Sequence, residues 1–319
     1  MYYSLMLTES SSPTSILRIG TRGSPLALVQ AHEVQRRLAK ACGFATAEIE
    51  IKVIRTTGDK IQDRPLADAG GKGLFTKEIE EALLAGMIDI AVHSSKDMPT
   101  VLPPGLVLSA FLPREDPRDA LVSRGRKTLR DLPAYAVAGT ASLRRQALLK
   151  RLRPDLNIVP MRGNVETRLR KVEAGEVDAT VLALAGLKRL GLAAAATGIF
   201  DVEEFPPAVG QGAIAIETRV DDEKTRELVS AVGDADTATA LAAERAFLVV
   251  LDGSCRTPIA GHAQVGAKTV RFRGVIAKTD GSEAWDVSRE GPRGDAAKLG
   301  ADAGHKLKAC AGAGFFGRE

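Results

Sequence analysis

Arginines stand at several points of the sequence where a predicted strand gives way to a predicted helix. Arg22 lies in the turn after the first strand, Arg144 and Arg145 open a helix, and Arg162 and Arg168 flank another turn. The first N–H groups of a helix are unpaired and its dipole is positive there, so this end attracts anions. A cation there is unfavourable without a ligand, and guanidinium groups bind carboxylates through two parallel hydrogen bonds. The pattern indicates a ligand with several negative charges; the alternative is a solvated helix surface.

Hydroxyl groups accompany these arginines. Ser24 follows Arg22, and Thr140 and Ser142 lie in a later turn of similar sequence. Both turns join a strand to a helix, but their spacing differs by one residue. A duplication is one interpretation, and it would give two similar lobes with a cleft between them.

A second motif, His93–Pro99, follows a predicted buried strand and contains Lys96 and Asp97. The carboxyl end of a strand is where ligands bind in open α/β sheets. A carboxylate beside a lysine in a cleft can stay ionised and stabilise a developing cation, or it can shuttle protons. The alternative is a surface ion pair in which Asp97 caps a turn.

The cysteines are few and widely spaced. Cys255 lies in a turn after a helix beside Arg256, which favours the reactive thiolate; an inert buried thiol is the alternative. Cys42 and Cys310 lie in alanine-rich helical stretches and are predicted to be small core residues. Three cysteines and four scattered histidines form neither a disulfide framework nor a metal site. We therefore predict no metal and a reducing, cytoplasmic location.

Short strands alternate with helices over most of the chain, which predicts parallel sheets with right-handed crossovers. The glycine-rich stretch 56–73 predicts a mobile loop that could act as a lid. Segment 206–212 predicts a hinge, and the chain after residue 234 predicts a small α+β module. The predicted strands are Leu17–Gly20, Glu48–Arg55, Ile88–His93, Ala120–Ser123, Tyr135–Ala138, Ile158–Met161, Ala179–Leu184, His262–Val265, Val270–Ile276 and Ala284–Ser288. The predicted helices are Pro25–Ala39, Thr76–Ala85, Ser142–Leu152, Val165–Ala174, Thr237–Leu251 and Ala296–Ala311.

Composition excludes several classes of protein. The chain has 319 residues, which suggests two or three domains, and its net charge of +4 is too small for a general polyanion binder. Aromatic residues make up 4%, so base-stacking platforms for nucleic acid are not expected. No stretch approaches the roughly 20 apolar residues that span a bilayer. Residues 1–15 read as a loose tail and not as an export signal.

Taken in order, these motifs resemble the porphobilinogen deaminase, or hydroxymethylbilane synthase, family. The matches run from Arg18 to about Pro258, and together they are far more specific than any one of them. The matching segments are Arg18–Ala27, Gly70–Phe75, Ala91–Pro99, Gly139–Arg145, Arg162–Val165, Ala185–Gly191, Pro207–Gly212 and Asp252–Cys255.

The resemblance implies an α/β enzyme with two periplasmic-binding-protein-like lobes with mixed sheets and a small C-terminal α+β domain. The implied domains are 1–112 with 213–232, then 113–212, then 233–319. Such enzymes are transferases that condense four porphobilinogen molecules head to tail, releasing ammonia, to give 1-hydroxymethylbilane for tetrapyrrole and haem synthesis. The resemblance also implies a monomer with a small-molecule substrate and no nucleic-acid or membrane partner.

The resemblance further assigns roles to residues. A dipyrromethane cofactor would be attached by a thioether to Cys255, and Asp97 would be the central catalytic group. Cofactor carboxylates would be bound by Lys96, Thr140, Ser142, Arg144 and Arg145. Substrate would be bound by Arg22, Ser24, Arg162, Arg168 and Arg189, with Lys72 and Phe75 in a lid.

Five positions depart from the family's commonest pattern: Asp68, Ala141, Glu166, Ala215 and Ser254. Ala141 would remove a hydroxyl contact, Glu166 would add an anion near the arginines of that turn, and Asp68 would alter the charge of the lid. None of these changes touches the two central residues, so activity should survive.

Two other functions compete with this interpretation. A two-lobed protein that binds or senses a small anion would explain the arginines, but it gives Asp97 and Cys255 no task. A cysteine-dependent acyl transferase would need a histidine base, and only His93 or His262 could serve, through proximity in space.

Overall fold

A computed structural model describes residues 16–60, 73–251, 257–312 and 315. Its strands are β1 (Leu17–Thr21), β2 (Ile49–Val53), β3 (Ile90–Ser94), β4 (Leu106–Phe111), β5 (Asp119–Ser123), β6 (Val137–Gly139), β7 (Asn157–Val159), β8 (Ala179–Ala183), β9 (Gly198–Ile199), β10 (Ile214–Arg219), β11 (Ile259–Val265), β12 (Thr269–Ala277) and β13 (Ala284–Pro292). Its helices are α1 (Pro25–Cys42), α2 (Thr57–Lys60), α3 (Lys77–Leu84), α4 (Leu143–Leu152), α5 (Val165–Glu173), α6 (Leu184–Arg189), α7 (Glu223–Ser230), α8 (Ala235–Val250) and α9 (Ala296–Ala311).

Short polar side chains fix where several of these helices begin. Ser24, Ser142, Asn164 and Asp234 each accept a hydrogen bond from the backbone N–H three residues further on. Such caps satisfy one of the N–H groups that a helix start leaves unpaired. Two of these capped starts, those of α1 and α4, follow strands directly and carry predicted site residues.

The first lobe is a five-stranded sheet in the order β2-β1-β3-β10-β4. β1 runs parallel to β2 and β3, whereas β10 runs antiparallel to β3 and β4. Helix α1 packs on one face through Val34 and Leu38, and α3 packs on the other through Ile79 and Leu83. Because both faces are covered, β3 is buried over almost its whole length.

The second lobe repeats this strand order with different segments of chain. Its sheet is β7-β6-β8-β5-β9, with β6 parallel to β7 and β8, and β5 antiparallel to β8 and β9. In each lobe the strand that crosses over from the other lobe, β10 or β5, takes the antiparallel position beside the third parallel strand. The shared order agrees with the two similar lobes that the repeated turn predicts.

The C-terminal domain is an antiparallel sheet, β11-β12-β13, packed against α8 and α9. Phe247 of α8 and Phe272 of β12 meet in its core, with ring centres 5.0 Å apart. The α/β class with two mixed-sheet lobes and a small α+β domain is therefore confirmed.

Every predicted strand and helix overlaps an observed one, and β1–β3 and β6–β8 pair in parallel as the strand–helix alternation predicts, but each sheet also contains antiparallel strands. The alternation does not reveal β4 and β10, and β10 is the strand that makes the first sheet mixed. In the described part of the chain, no helix is both long and apolar enough to cross a membrane.

Two connections join the lobes, and they run side by side. The Glu115 backbone N–H donates to the Gly212 carbonyl over 3.2 Å, and Gln211 Nε2 donates to the Pro117 carbonyl over 2.7 Å. Gly212 has φ +90°, and a Cβ there would lie 2.3 Å from the Glu115 carbonyl oxygen. Only glycine fits this approach, so the predicted hinge segment is one of two tightly paired connections.

Candidate active site

Asp97 lies on the floor of the cleft, in a single 3-10 turn that follows β3. A cavity of about 70 Å³ is lined by Asp97 together with Arg22, Ser24 and Phe75. The guanidinium carbon of Arg22 lies 4.2 Å from the centre of the Phe75 ring, a cation–π contact. The structure thus brings together four predicted site residues from three separate segments of the first lobe.

Other residues of this cavity were not predicted from the sequence. Gln30 and Ser94 line it, and the Ser94 hydroxyl donates to Gln30 Oε1 over 3.0 Å. Thr76 and His93 line it as well. All four lie on or directly beside segments already singled out, namely α1, β3 and the start of α3, so their position along these segments is the signal that could have found them.

Arg144 and Arg145, in the first turn of α4, share one buried carboxylate. Asp119 Oδ2 accepts from Arg144 Nη2 over 2.7 Å, and Asp119 Oδ1 accepts from Arg145 Nη2 over 2.7 Å. Burial alone would raise the pKa of Asp119, but the two guanidinium groups outweigh it and hold the pKa at about 2. The sequence argument that only a ligand could compensate these cations is therefore incomplete, because Asp119 already does so in part.

The hydroxyls of the same turn organise its backbone. Ser142 Oγ accepts from the Arg145 backbone N–H over 3.4 Å, and Thr140 Oγ1 accepts from the Ser142 N–H over 3.1 Å. Thr140 is buried, whereas Ser142 is half-buried. Each hydroxyl still has its own proton to donate to a ligand.

Lys96 is exposed to solvent, yet many protein atoms lie around its ammonium group. Both are expected for a side chain at the bottom of an open cleft. Its ammonium group donates to Gln211 Oε1 over 3.4 Å. The surrounding protein and then the charge of Arg145 lower the pKa of Lys96 to about 8, while Asp97 and Asp119 oppose the change. An anion bound beside Lys96 would stabilise the charged ammonium and raise its pKa again.

Arg168 extends the cationic surface along α5. Its Nε donates to the Gly163 carbonyl over 2.9 Å. Burial and then the charges of Arg145 and Arg162 lower the pKa of Arg168 to about 10, while Asp97 opposes the change. Arg168 of the second lobe therefore lies within electrostatic range of the first lobe's Asp97 across the cleft.

Arg189 lies elsewhere. Its Nη2 donates to the Gly212 carbonyl over 3.0 Å, and its Nε lies 3.5 Å from Glu33 of α1. The structure places this arginine between α6, α1 and the connection of the lobes, and not among the residues that line the cavity.

Two predicted site residues, Cys255 and Lys72, lie outside the described residues, as do the unusual Asp68 and Ser254. Of the other cysteines, Cys42 is half-buried, but Cys310 is exposed, so the prediction that Cys310 is a core residue is wrong. Cys310 lies in the last turn of α9.

The site therefore suits a ligand with several carboxylates. Burial is the main cause of the lowered pKa values of Lys96 and Arg168, the charge of Arg145 lowers both further, and Arg162 adds to the effect on Arg168. Hydroxyl donors of the α4 turn stand beside them. A dipyrromethane, with an acetate and a propionate on each ring, carries the kind of charge that this donor set can bind.

Fold and site together define a two-lobed α/β protein whose cleft concentrates cations around one carboxylate. A family model described as "Porphobilinogen deaminase, dipyromethane cofactor binding domain" matches residues 17–227, and one described as "Porphobilinogen deaminase, C-terminal domain" matches residues 238–309. Proteins named porphobilinogen deaminase from Nitrobacter winogradskyi and Nitrobacter hamburgensis are 63% and 62% identical over 309 residues, covering 97% of this chain and 98% of each relative. The chain belongs to the porphobilinogen deaminase family.

Solved structures of lower similarity include a TRAP periplasmic solute binding protein from Desulfovibrio salexigens, 12% identical with a TM-score of 0.41, which covers 69% of this chain and 72% of its own. A periplasmic binding protein from Salmonella typhimurium is 14% identical with a TM-score of 0.38, over 70% of this chain and 93% of its own.

Family membership confirms the predicted activity, enzyme class and cofactor. Members are transferases that condense four porphobilinogen molecules into 1-hydroxymethylbilane for tetrapyrrole synthesis, and the matched description itself names the dipyrromethane cofactor.

Proposed function

We propose that Asp97 is the catalytic carboxylate of this hydroxymethylbilane synthase. Loss of ammonia from porphobilinogen leaves a cationic methylenepyrrolenine, and a fixed anion beside it lowers the barrier to its formation. Asp97 faces a cavity with Arg22 and Ser24 to hold the substrate carboxylates. The observation that carries the proposal is that Asp97 of one lobe lies within electrostatic range of Arg168 of the other.

The protons of the reaction need a group that can hold and release them. The leaving nitrogen departs as ammonia, and the pyrrole carbon that forms the new bond must lose a proton. A carboxylate within hydrogen-bond reach can accept that proton and return it in the next cycle. Asp97 is the acidic side chain of the described cavity, so we assign both tasks to it.

Cys255 would carry the cofactor, and the second lobe would hold its carboxylates. When bound, the dipyrromethane supplies the pyrrole carbon to which the first substrate is joined. Arg145 and Lys96 would bind the carboxylates directly, while Arg144 is anchored to Asp119 and to the Pro206 carbonyl, 2.7 Å away. Thr140 and Ser142 would donate their hydroxyl protons.

Arginines on both sides of the cleft would hold the incoming substrate. Arg22 and Ser24 act from the first lobe, Arg162 and Arg168 from the second. Arg189 would join them only if opening of the lobes released it from Glu33. Phe75 and Lys72 would cover the growing chain.

The remaining assignments concern the whole molecule. The domain limits 1–112 with 213–232, 113–212 and 233–319 are supported by the sheet to which each strand belongs. We further propose a cytoplasmic monomer that uses porphobilinogen without nucleic-acid or membrane partners.

The intact mass of the purified protein tests this proposal. Two porphobilinogen units joined to the chain with loss of two ammonia molecules give a defined increase, and peptide mapping should place it on Cys255. Cys255→Ala should lack the adduct, and the matched control Cys42→Ala should keep it. An adduct on Cys42 or Cys310 would overturn the assignment. An unmodified chain that gains no adduct during incubation with porphobilinogen would instead favour a protein that only binds anions.

A further inference from the structure

His93 stands between the cavity of Asp97 and a buried acidic cluster. It lies on β3, four residues before Asp97, and lines the same cavity. Its side chain is 4% exposed. His93 Nε2 lies 3.2 Å from Oε2 of Glu217, which is fully buried on the neighbouring strand β10.

The contact between His93 and Glu217 is a buried hydrogen bond between two side chains. We assign the Nε2–H tautomer to His93, because a carboxylate oxygen accepts the hydrogen bond from that N–H. In the described part of the chain, Glu217 Oε1 and the nearby Glu80 Oε1 are buried without a hydrogen-bond partner. Burial, and then the charge of Glu217 against the opposing effects of Thr76 and His93, raises the pKa of Glu80. His93 is thus the donor that makes a buried Glu217 tolerable.

The cluster joins three elements that shape the cavity. His93 belongs to β3, Glu217 to β10, and Glu80 to α3, which begins directly after Phe75 and Thr76. Arg245 of α8 adds a positive charge that acts on Glu217, and its Nη2 donates to the Pro99 carbonyl over 2.8 Å. The cluster therefore lies between the strand that leads to Asp97 and the helix that follows Phe75, and α3 packs on this side of the sheet through Ile79 and Leu83.

We propose that His93, oriented by Glu217, is a positioning residue for the deaminase reaction. Its N–H satisfies Glu217 and lets α3 pack against β3 and β10, and this packing sets the distance between Asp97 and Phe75. Without that donor, two buried carboxylates would face each other unsatisfied, and α3 would move away from the sheet. A displacement of about 1 Å at a reacting group can cost up to about a hundredfold in rate. The inference rests on the proposed role of Asp97.

Two neutral amides test this inference because they differ only in reach. Gln places its amide near the position of Nε2, whereas Asn ends near Nδ1 and cannot reach Glu217. His93→Gln should keep kcat within about threefold of wild type, and His93→Asn should lose about tenfold or more with a smaller change in KM. Rates are measured as ammonia release per molecule that carries the covalent adduct. A variant that attaches the cofactor incompletely therefore does not appear slower for that reason.

A second pair of variants, at Glu217, keeps the test decisive if a His93 variant fails to fold. Glu217→Gln keeps an acceptor for His93, and Glu217→Ala removes it, so the same contrast in kcat is expected. Equal activity of the Asn and Gln variants at position 93, or a lowered melting temperature with kcat unchanged, would overturn the inference. If wild type itself shows neither adduct nor ammonia release, the proposed function has failed; if only the His93 contrast is missing, the inference alone has failed.

Discussion

Arg114 and Glu244 form a buried two-point ion pair, with Nη1 2.5 Å from Oε1 and Nη2 3.1 Å from Oε2. The same carboxylate accepts the backbone N–H groups of Gly210, over 2.7 Å, and Ala263, over 2.8 Å. One side chain of α8 therefore binds both connections between the lobes and the sheet of the C-terminal domain. Bending of the lobes and placement of the C-terminal domain are coupled at this point.

The pairing of the two connections predicts a strong effect of a single methyl group. Gly212→Ala would force φ +90° on a residue with a Cβ and would press that Cβ against the Glu115 carbonyl. We expect the free energy of unfolding to fall by about 3 kcal/mol. Urea unfolding measures it. Gly294→Ala, where nothing lies within 4 Å, is the matched control and should change stability little. Equal stability of the two variants would contradict the close approach.

The charge of Asp97 should matter for rate and not for folding. Asp97→Asn keeps size and polarity but removes the anion that stabilises the substrate-derived cation. We expect ammonia release to fall at least about a hundredfold while the melting temperature stays near wild type. Asp280→Asn, on an exposed turn of the C-terminal domain, should leave the rate unchanged. A folded Asp97→Asn protein with nearly normal turnover would remove this residue from the centre of the mechanism.

Asp119 should support both stability and cofactor binding. Its pKa of about 2 in the folded chain lies below the ordinary value of 3.8. Its contribution, about 2 kcal/mol, is therefore complete above about pH 4 and is lost as pH falls through 2. Asp119→Asn leaves two buried arginines without their anion and should cost about 3 kcal/mol.

Acid unfolding followed by circular dichroism measures this effect. The control is Asp302→Asn, an exposed partner of Arg289 that should cost less than about 1 kcal/mol. A similar small cost at Asp119, with the adduct retained at full occupancy, would show that Asp119 does not organise Arg144 and Arg145.

Lys96 should be unusually reactive toward acylating reagents near pH 8. With a pKa of about 8, roughly half of its amine is neutral there, against well under 1% for a lysine of ordinary pKa. Peptide mass mapping after brief labelling should find Lys96 modified well before Lys77, on the surface of α3. Prior formation of the adduct should protect Lys96, because bound carboxylates return its charge. Labelling at equal rates would refute the lowered pKa.

The sequence predicts a site residue best when the residue's place in the site follows from its own strand and turn. Asp97, Arg22 and Ser24 follow strands directly, so strand position and turn composition locate them. Asp119 and Glu244 escape such reasoning, because their partners lie 25 and 130 residues away in the chain. Nothing near either carboxylate in sequence indicates that it will be buried or which distant arginine it will bind.

Strand β10 is missed by pattern analysis for a related reason. β10 contains Glu217 and Thr218, both fully buried, so its pattern lacks the alternation of apolar and polar residues that marks a half-buried strand. Its polarity is tolerated only because His93 and Ser109 supply partners from neighbouring strands. Contacts made in three dimensions, and not local preference, decide that this segment is a strand.

The position of β10 also governs the order in which the molecule can be made. It lies between β3 and β4, yet it leaves the ribosome only after the whole second lobe has been synthesised. Until then β3 and β4 each keep an open edge, which is a surface prone to pairing with other chains. The second lobe, built from one continuous stretch, can fold first. The turn that contains Asp97 reaches its final position only when β10 pairs with β3, late in synthesis.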